Sequence, residues 1–214
     1  GAVEVVDTDA TISDADGAFY ENLIINLTNF PDGGSEQIVI AGYTFNYGTA
    51  DTATRTVGST SFVIDFDGSG FNVTPDGLGW MPEVDLQTLL RGVTYENTSQ
   101  DPTTGDRTIN IFAQDSSLLV GPIATSTITV NPQNDAPTAT DNANSVSESG
   151  FVSGNVITDD SGSGVDSDPE GDSLQVTQVE GGAYTPGLPV TLASGAQVTF
   201  QSNGSYTYNT NGQF

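Results

Sequence analysis

Carboxylates are the residues that could do chemistry in this sequence, and their densest group lies in residues 159–172. Glycine, serine, one valine and one proline lie between its six acids, Asp159, Asp160, Asp166, Asp168, Glu170 and Asp172. Ca²⁺ takes roughly six to eight oxygen ligands and tolerates irregular geometry, so a flexible acidic loop suits it better than Mg²⁺. The spacing does not fit an EF-hand. The alternative is that these acids form turns and carry solvated charge without a metal.

Composition narrows the chemistry further. The chain has 28 acidic residues against three Lys and Arg, a formal charge of −25, and it contains no histidine or cysteine. Nucleic acid and anionic membranes are therefore unsuitable partners, and oxygen atoms are the remaining metal ligands. High charge is also typical of disorder, but a 35% hydrophobic content with ten Phe and seven Tyr predicts folded domains. No membrane-inserting run is visible, so no membrane insertion is expected.

Catalysis is not expected. Paired carboxylates can hydrolyse glycosides, but an acid-rich chain contains many accidental pairs. Only one tryptophan, Trp80, is available to stack on a sugar ring. Trp80 lies just before a predicted helix, where an aromatic residue commonly fastens the chain to the domain body. We expect Trp80 to lie in the core, and the alternative is an exposed ligand contact beside Tyr43, Phe45 or Tyr47.

The sequence predicts two domains, 1–133 and 134–214. The boundary is the segment 131–137, in which Pro132 and Pro137 bracket polar residues after an alternating strand. Short apolar runs bounded by Gly, Asp, Asn and Pro are typical of strands. The predicted strands are 23–27, 38–40, 62–66, 93–95, 109–111 and 127–130 in the first domain, and 174–176, 190–192, 198–200 and 206–208 in the second.

One segment has helical spacing. Residues 82–92 begin with proline, continue with early acids and Leu86, Leu89 and Leu90, and end at Gly92. Segment 65–70 superficially resembles the start of a calcium-binding loop. The alternation of Phe62, Ile64 and Phe66 instead favours a strand that leads into a glycine turn. The predicted fold class is all-β, with tandem Ig-like or cadherin-like β-sandwiches and one short helix in the first domain.

Several segments together resemble the cadherin-like repeats of giant bacterial adhesins and secreted surface proteins, including repeats-in-toxin adhesins. In the first domain the similar segments are 5–17, 86–98 and 105–108. In the second they are Asn134-Asp135-Ala136-Pro137, Asp168-Pro169-Glu170-Gly171-Asp172 and 204–209. Such repeats begin one strand earlier and run further, so the resemblance implies that the first strand of one domain and the last strands of the other are missing.

The resemblance implies calcium at domain junctions, with ligands from both domains and the linker. Its candidate ligands at the linker are Asp115, Asn134, Asp135, Glu148, Asp159, Asp168, Glu170 and Asp172. An analogous acidic group near the amino terminus contains Asp14, Asp16 and Glu21, with Asp7 and Asp9 beside it, and would bind calcium shared with a preceding domain.

The predicted function is that of a non-enzymatic extender in an extracellular bacterial adhesin or surface protein. Calcium between successive domains would neutralise carboxylates and limit hinge motion. The partners would be calcium and neighbouring repeats, or neighbouring copies in a fibre. Two alternatives stay open. One is a self-assembling fibre subunit that donates a strand between chains, and the other is a glycan- or peptide-binding module.

Overall fold

The computed structural model describes residues 1–14, 19–77 and 79–213. The chain divides into two compact units, Gly1–Pro132 and Gln133–Phe214. The division falls one residue before the boundary expected from the two prolines. The all-β prediction is confirmed, because strands predominate in the described chain and α-helix is confined to one short segment of the first unit.

The first unit contains eleven described strands and one helix. The strands are β1 (Val3–Glu4), β2 (Phe19–Thr28), β3 (Glu36–Ile40), β4 (Tyr43–Asn46), β5 (Asp51–Val57), β6 (Thr60–Phe66), β7 (Gly70–Pro75), β8 (Met81–Pro82), β9 (Thr94–Asn97), β10 (Gly105–Asp115) and β11 (Ala124–Val130). The helix is α1 (Glu83–Arg91), and a short 3₁₀ turn covers Gly33–Ser35.

These strands form two sheets. One has the order β1-β9-β3-β4, and the other has the order β11-β10-β2-β7-β6-β5 with β8 added beside β2. Alternate residues of β3, β6 and β10 are buried, because successive side chains of a strand point to opposite faces. The buried faces meet in one continuous apolar core. Phe45, Phe66 and Phe71 pack at its centre, with ring centroids 4.4 to 5.8 Å apart.

The predicted helix is confirmed. Pro82 precedes its first residue and Gly92 follows its last, which matches the preference for proline at helix starts and glycine at helix ends. Leu86, Leu89 and Leu90 are buried in the core, so the spacing of these three leucines identified the buried face correctly. Segment 65–70 is also as predicted. β6 ends at Phe66, and the Asp67 carboxylate accepts hydrogen bonds within the turn to β7.

The second unit has one described sheet with the strand order β12-β15-β14-β13. Its strands are β12 (Phe151–Asn155), β13 (Pro189–Thr191), β14 (Gln197–Phe200) and β15 (Ser205–Asn209). Its buried apolar residues, among those described, are Ala196 and Val198. The predicted strand at 174–176 is wrong, because this segment forms no ladder and Val176 N donates one backbone hydrogen bond to Ser202 O.

Candidate metal sites and cavities

The acidic loop of the second unit is held in shape by its own carboxylates. Asp168 Oδ1 accepts hydrogen bonds from the backbone N–H groups of Glu170 and Asp172, both at 3.0 Å. Asp160 Oδ1 does the same for Gly162 and Gly164, which lowers the pKa of Asp160. Short side chains that bond the backbone two or four residues later stabilise turns. These bonds alone therefore need no metal.

Three of the predicted ligands line one cavity in this unit. Asn134, Asp168 and Asp172 border a space of about 730 Å³, together with Asp141, Asn142 and Asp166. The Asp166 carboxylate already has hydrogen-bond partners, because its Oδ1 accepts from Thr140 N and Thr140 Oγ1. The amino-terminal end of the unit and the acidic loop thus face the same space, although 34 residues separate Asn134 from Asp168 in the sequence.

Glu170 has an unusual environment for a carboxylate. Both of its side-chain oxygens are shielded from solvent, and neither has a hydrogen-bond partner among the described residues. The Oδ1 atom of Asn142, which lines the cavity of about 730 Å³, is also buried without a partner. Buried carboxylates and amides normally have hydrogen-bond partners, so each exception calls for an explanation, and ligation of a cation by these oxygens is one.

The other predicted ligands of this unit lie elsewhere. Asp159 Oδ2 accepts a hydrogen bond from Asn155 N at 2.6 Å, and Asp159 lines a different cavity of about 440 Å³ beside Asp160 and Tyr206. Asp135 and Glu148 are exposed. The predicted set is therefore divided, with Asn134, Asp168 and Asp172 together and Asp159 apart from them.

A carboxylate cage is absent from the part of the chain that the structure describes. No three side chains of the His, Cys, Asp and Glu types lie together there in a way that could hold a metal ion. Ca²⁺ does not require three carboxylates, because backbone carbonyls, amide oxygens and water also serve as ligands. The cavity of Asn134, Asp168 and Asp172 offers carboxylate and amide oxygens of this kind. Glu170 belongs to the same acidic loop but does not border this cavity.

The described members of the predicted amino-terminal group, Asp14 and Glu21, line different cavities. Asp14 lines a cavity of about 480 Å³ with Tyr20 and Asp115. Glu21 lines a separate cavity of about 580 Å³ with Trp80. Asp16 lies outside the described residues. Glu21 is displaced because the pairing of β2 with β10 shifts there, from Asn22 opposite Gln114 to Tyr20 opposite Asp115. A bulge of this kind redirects the side chain at the extra residue.

The resemblance places Asp115 among the linker ligands, but Asp115 lies at the end of β10 that is far from the last residue of β11. Gly105 pairs with Val130, the last residue of β11, whereas Asp115 ends β10 ten residues later. At roughly 3.3 Å per residue, Asp115 lies about 30 Å along the strand from Val130. The structure therefore groups Asp115 with Asp14 and Tyr20.

Trp80 is not in the core, so that expectation is wrong. Its side chain is 49% exposed, while the neighbouring Met81 is fully buried. Strand β8 pairs with β2 through Met81 and Pro82, which directs Met81 inward and leaves the preceding indole at the surface. Phe45 and Tyr47 pack with core aromatics, and Tyr43 packs on Phe45, so none of these three is an open partner for Trp80.

A buried ionic cluster in the first unit was not predicted from the sequence. Arg107 is fully buried and forms ion pairs with Glu36 at 2.5 Å and Asp32 at 2.8 Å. Tyr95 Oη donates a hydrogen bond to Glu36, and the Asp32 carboxylate also accepts from Thr103. The scarcity of basic residues could have indicated this cluster. An acidic chain with three arginines and no lysine has few cations to balance a buried acid.

This cluster shifts the pKa values of Asp32 and Tyr95. Burial disfavours the charged form of Asp32, but hydrogen bonds from Thr103 and Asn97 and the charge of Arg107 outweigh burial and lower the pKa of Asp32. Burial, followed by the hydrogen bond to Glu36, raises the pKa of Tyr95 to about 12. The cluster is a structural network, since Arg107, Glu36 and Tyr95 are buried and each has a hydrogen-bond partner.

Comparison with known proteins adds one positive result. A family model described as a bacterial Ig domain matches residues 134–214. The second unit is similar to bacterial Ig domains. The matched range covers the described sheet and the acidic loop of this Ig-like unit. No curated protein matches the chain significantly, and no solved structure does so either.

The match supports a bacterial surface Ig-like β-sandwich and a structural, non-enzymatic role for this module. Bacterial Ig-like domains usually occur in surface or extracellular proteins. In the described parts of the chain, no helix combines the length and the apolar character that crossing a membrane requires.

Proposed function

We propose that this chain is an extender segment of an extracellular bacterial adhesin or surface protein, and that calcium bound in the Ig-like unit stabilises it. The observation that carries the proposal is the cavity shared by Asn134, Asp168 and Asp172. The two buried, unpartnered oxygens of Glu170 support it, because they lie in the same acidic loop. Calcium would supply positive charge to the Ig-like unit, which contains no lysine or arginine.

The donor chemistry fits calcium better than other metals. Asn134, Asp168 and Asp172 offer hard oxygen ligands, and the chain has no imidazole or thiolate to select zinc or copper. The Asp168 carboxylate has one oxygen engaged by two backbone N–H groups, which fixes the loop and leaves Oδ2 to face a cation. Weak extracellular calcium sites have dissociation constants of about 10⁻⁴ to 10⁻³ M, so occupancy would require extracellular calcium levels.

The position of Asn134 explains how calcium would stiffen the segment that leads into the Ig-like unit. Asn134 is the second residue of the Ig-like unit and follows Pro132 closely. An ion that binds Asn134 and the loop at 168–172 would fasten the start of the unit to its body. The segment after Pro132 would then have fewer free residues, and flexibility in a chain of domains depends on the number of such residues.

Thermal unfolding with calcium titration tests this proposal. We expect millimolar calcium, but not magnesium at equal ionic strength, to raise the melting temperature of the chain above its value in chelator. Asp168→Asn and Asp172→Asn should each raise the calcium concentration needed for a given rise in melting temperature by about tenfold or more, because each removes a charged ligand. Asp168→Asn keeps an Oδ1 acceptor for the turn, so it should change the calcium response more than the stability in chelator.

Glu180→Gln is the matched control, because Glu180 is exposed in the same unit and its replacement removes the same charge. A calcium effect that Glu180→Gln weakens as much as Asp168→Asn would indicate general screening of the negative charge. Equal effects of calcium and magnesium would contradict the proposal in the same way.

One observation favours a second candidate function, carbohydrate binding by the first unit. Trp80 is half exposed and lines a cavity of about 580 Å³ with Glu21, whose Oε2 atom is buried without a partner among the described residues. An indole face can stack on a sugar ring while a carboxylate accepts hydrogen bonds from its hydroxyl groups.

Trp80 is the single tryptophan, so its fluorescence reports on this cavity directly. Neutral disaccharides based on glucose, galactose or mannose should shift its emission saturably, and Glu21→Gln should weaken the response. Glu4→Gln, at an exposed position of β1, is the control. Unchanged emission with all three sugars would exclude this second candidate.

A further inference from the structure

A cavity at the end of the first unit has apolar walls and an acidic rim. Its volume is about 480 Å³, and Ile12, Leu90 and Ile111 are among its apolar lining residues. Asp14 and Asp115 border the same space. It lies at the end of β10, where that strand turns towards β11, and it is separate from the cavities that contain Trp80 or Asp168.

Tyr20 gives this cavity a polar group that needs a partner. The side chain is 3% exposed, and its hydroxyl is buried with no hydrogen-bond partner among the described residues. Burial first, and then the charges of Glu83, Asp14 and Asp115, raise the pKa of Tyr20 to about 12. The hydroxyl therefore stays protonated at neutral pH. A buried hydroxyl without a partner costs free energy that a ligand group can recover.

The charge around this hydroxyl selects the ligand. No basic side chain lies among the described residues that border the cavity. Asp115 Oδ1 accepts hydrogen bonds from Ser117 N and Leu119 N, so the carboxylate is fixed beside the cavity. A cation at this position would meet two carboxylates and the Tyr20 oxygen in a partly desolvated space, where electrostatic attraction is stronger than in bulk water.

The loop after Asp115 extends the surface. Leu118, Leu119, Val120 and Ile123 are each 62 to 67% exposed. Single exposed apolar residues are ordinary, but four of them within six positions form a patch of the kind that marks interaction surfaces. Leu119 and Val120 also line the cavity, so the patch and the acidic rim are continuous.

We propose that this surface binds a polypeptide segment of another protein that presents a lysine or arginine side chain between apolar residues. The cationic group would enter the cavity between Asp14 and Asp115, with its donors directed at Tyr20 Oη. The flanking apolar residues would cover the loop at 118–123. This site does not rest on calcium binding by the Ig-like unit.

A second copy of this chain is a poor occupant. It has no lysine, and its three arginines are held within the first unit. Arg107 is buried between Asp32 and Glu36, and Arg91 donates to Ala10 O and Gln87. Arg55 lies over the Tyr43 ring at 4.5 Å. The charge of −25 instead favours a basic partner, whose approach this acidic chain would accelerate.

The test uses the whole chain, a capped Leu-Lys-Leu peptide and a capped Leu-Gln-Leu peptide, with calcium fixed at a saturating concentration. Amide chemical shifts are recorded by ¹⁵N NMR during each titration. We expect the lysine peptide to shift the amides of Ala113, Leu119 and Val120 saturably, and the glutamine peptide to bind about tenfold or more weakly.

Two variants probe the site without disrupting the fold. Asp115→Asn retains an Oδ1 acceptor for the loop, and Tyr20→Phe removes only an unpartnered hydroxyl. Each variant should bind the lysine peptide severalfold more weakly than the unaltered chain does. The thermal stability of Tyr20→Phe should stay the same or rise. Asp101→Asn, at an exposed position, should leave binding unchanged.

Three results would overturn the proposal. Equal binding of the two peptides would mean that the patch recognises apolar groups without the cation. Shifts spread over the acidic surface, or equal weakening by Asp101→Asn, would mean nonspecific attraction. Displacement of the peptide by additional calcium at constant ionic strength would assign Asp14 and Asp115 to a metal.

Discussion

Arg107 is a fully buried cation in the first unit. Its guanidinium group is fully buried, and it offsets the charges of Glu36 and Asp32. Tyr95 and Thr103 complete the hydrogen bonding of the two acids. Removing one partner from a buried ion pair leaves an uncompensated charge, which costs more than the pair contributes.

Arg107→Met should therefore destabilise the first unit by about 3 to 5 kcal/mol. Urea unfolding followed by Trp80 fluorescence measures this unit selectively, because the Ig-like unit has no tryptophan. Arg55→Met is the control, since Arg55 is partly exposed and makes a cation–π contact. A loss below about 1 kcal/mol for Arg107→Met would show that the buried acids find other partners.

Asp85 gives the first unit an acid-sensitive contact. Its Oδ2 atom accepts hydrogen bonds from Thr60 Oγ1, Ser59 Oγ and Ser59 N at 2.8 to 3.0 Å. The hydrogen bond from Thr60 is the main reason that the pKa of Asp85 is lowered. A carboxyl with a lowered pKa in the folded state contributes stability above its unfolded pKa, and this contribution is lost as the pH falls through the folded value.

The urea midpoint of the first unit should therefore fall as the pH is lowered from about 5 to below about 3.8, the ordinary range for aspartate. Asp85→Asn should reduce the midpoint at pH 7 and make its pH dependence shallower. Asp101→Asn should keep the slope of the unaltered chain. Parallel pH profiles for Asp85→Asn and the unaltered chain would contradict this role.

At the residue level, the types of side chain in the acidic segments can be read from the sequence, but their grouping in space cannot. The acidic loop at 168–172 is visible from residue types alone, and Asn134 borders the same cavity as Asp168 and Asp172. The grouping of Asp115 depended on strand direction, and the position of Glu21 depended on a bulge between β2 and β10. Neither register nor bulges can be read from spacing in one sequence, because both depend on which strands pair.

At the level of elements, prediction succeeded where periodicity and end signals agreed. Helix α1 combined a proline start, three buried leucines and a glycine end, and strand β6 had clear alternation. The failed strand at 174–176 has the same alternation over three residues. Among the described residues, segment 174–176 makes one backbone hydrogen bond, from Val176 N to Ser202 O, and it pairs with no neighbouring strand. Short strands depend on such partners more than on their own propensity.

The turn between β5 and β6 links that hairpin to α1. Gly58 has φ +61°, which L side chains rarely adopt, and a Cβ atom there would lie 2.0 Å from Asp85 Oδ1. Glycine suits this two-residue hairpin turn because it allows positive φ without steric cost. The same residue makes room for the carboxylate that the turn binds.

Gly58→Ala should thus destabilise the first unit by more than Gly42→Ala. Gly42 also has positive φ, at +75°, but nothing lies within 4 Å of its added Cβ, so it isolates the backbone strain of about 1 kcal/mol. Urea unfolding of both variants gives the difference. Equal losses would show that Asp85 moves aside without cost.

For the whole molecule, the contrast between the two units matters most. The first unit has a continuous apolar core, whereas the described buried apolar residues of the Ig-like unit are Ala196 and Val198. Hydrophobic burial is the dominant favourable term in folding, so the Ig-like unit has less of it to offset chain entropy. Its acidic loop adds repulsion, which cations would relieve.

Scanning calorimetry in chelator and in millimolar calcium, with Trp80 fluorescence recorded in parallel, tests the central claim most directly. In chelator we expect two transitions, the lower one without a change in Trp80 emission because it belongs to the Ig-like unit. Calcium should raise this lower transition and leave the Trp80 transition nearly unchanged, and a ligand at about 100 times its Kd adds about 2.7 kcal/mol. If calcium moves neither transition, or moves only the one that Trp80 reports, calcium does not stabilise the Ig-like unit.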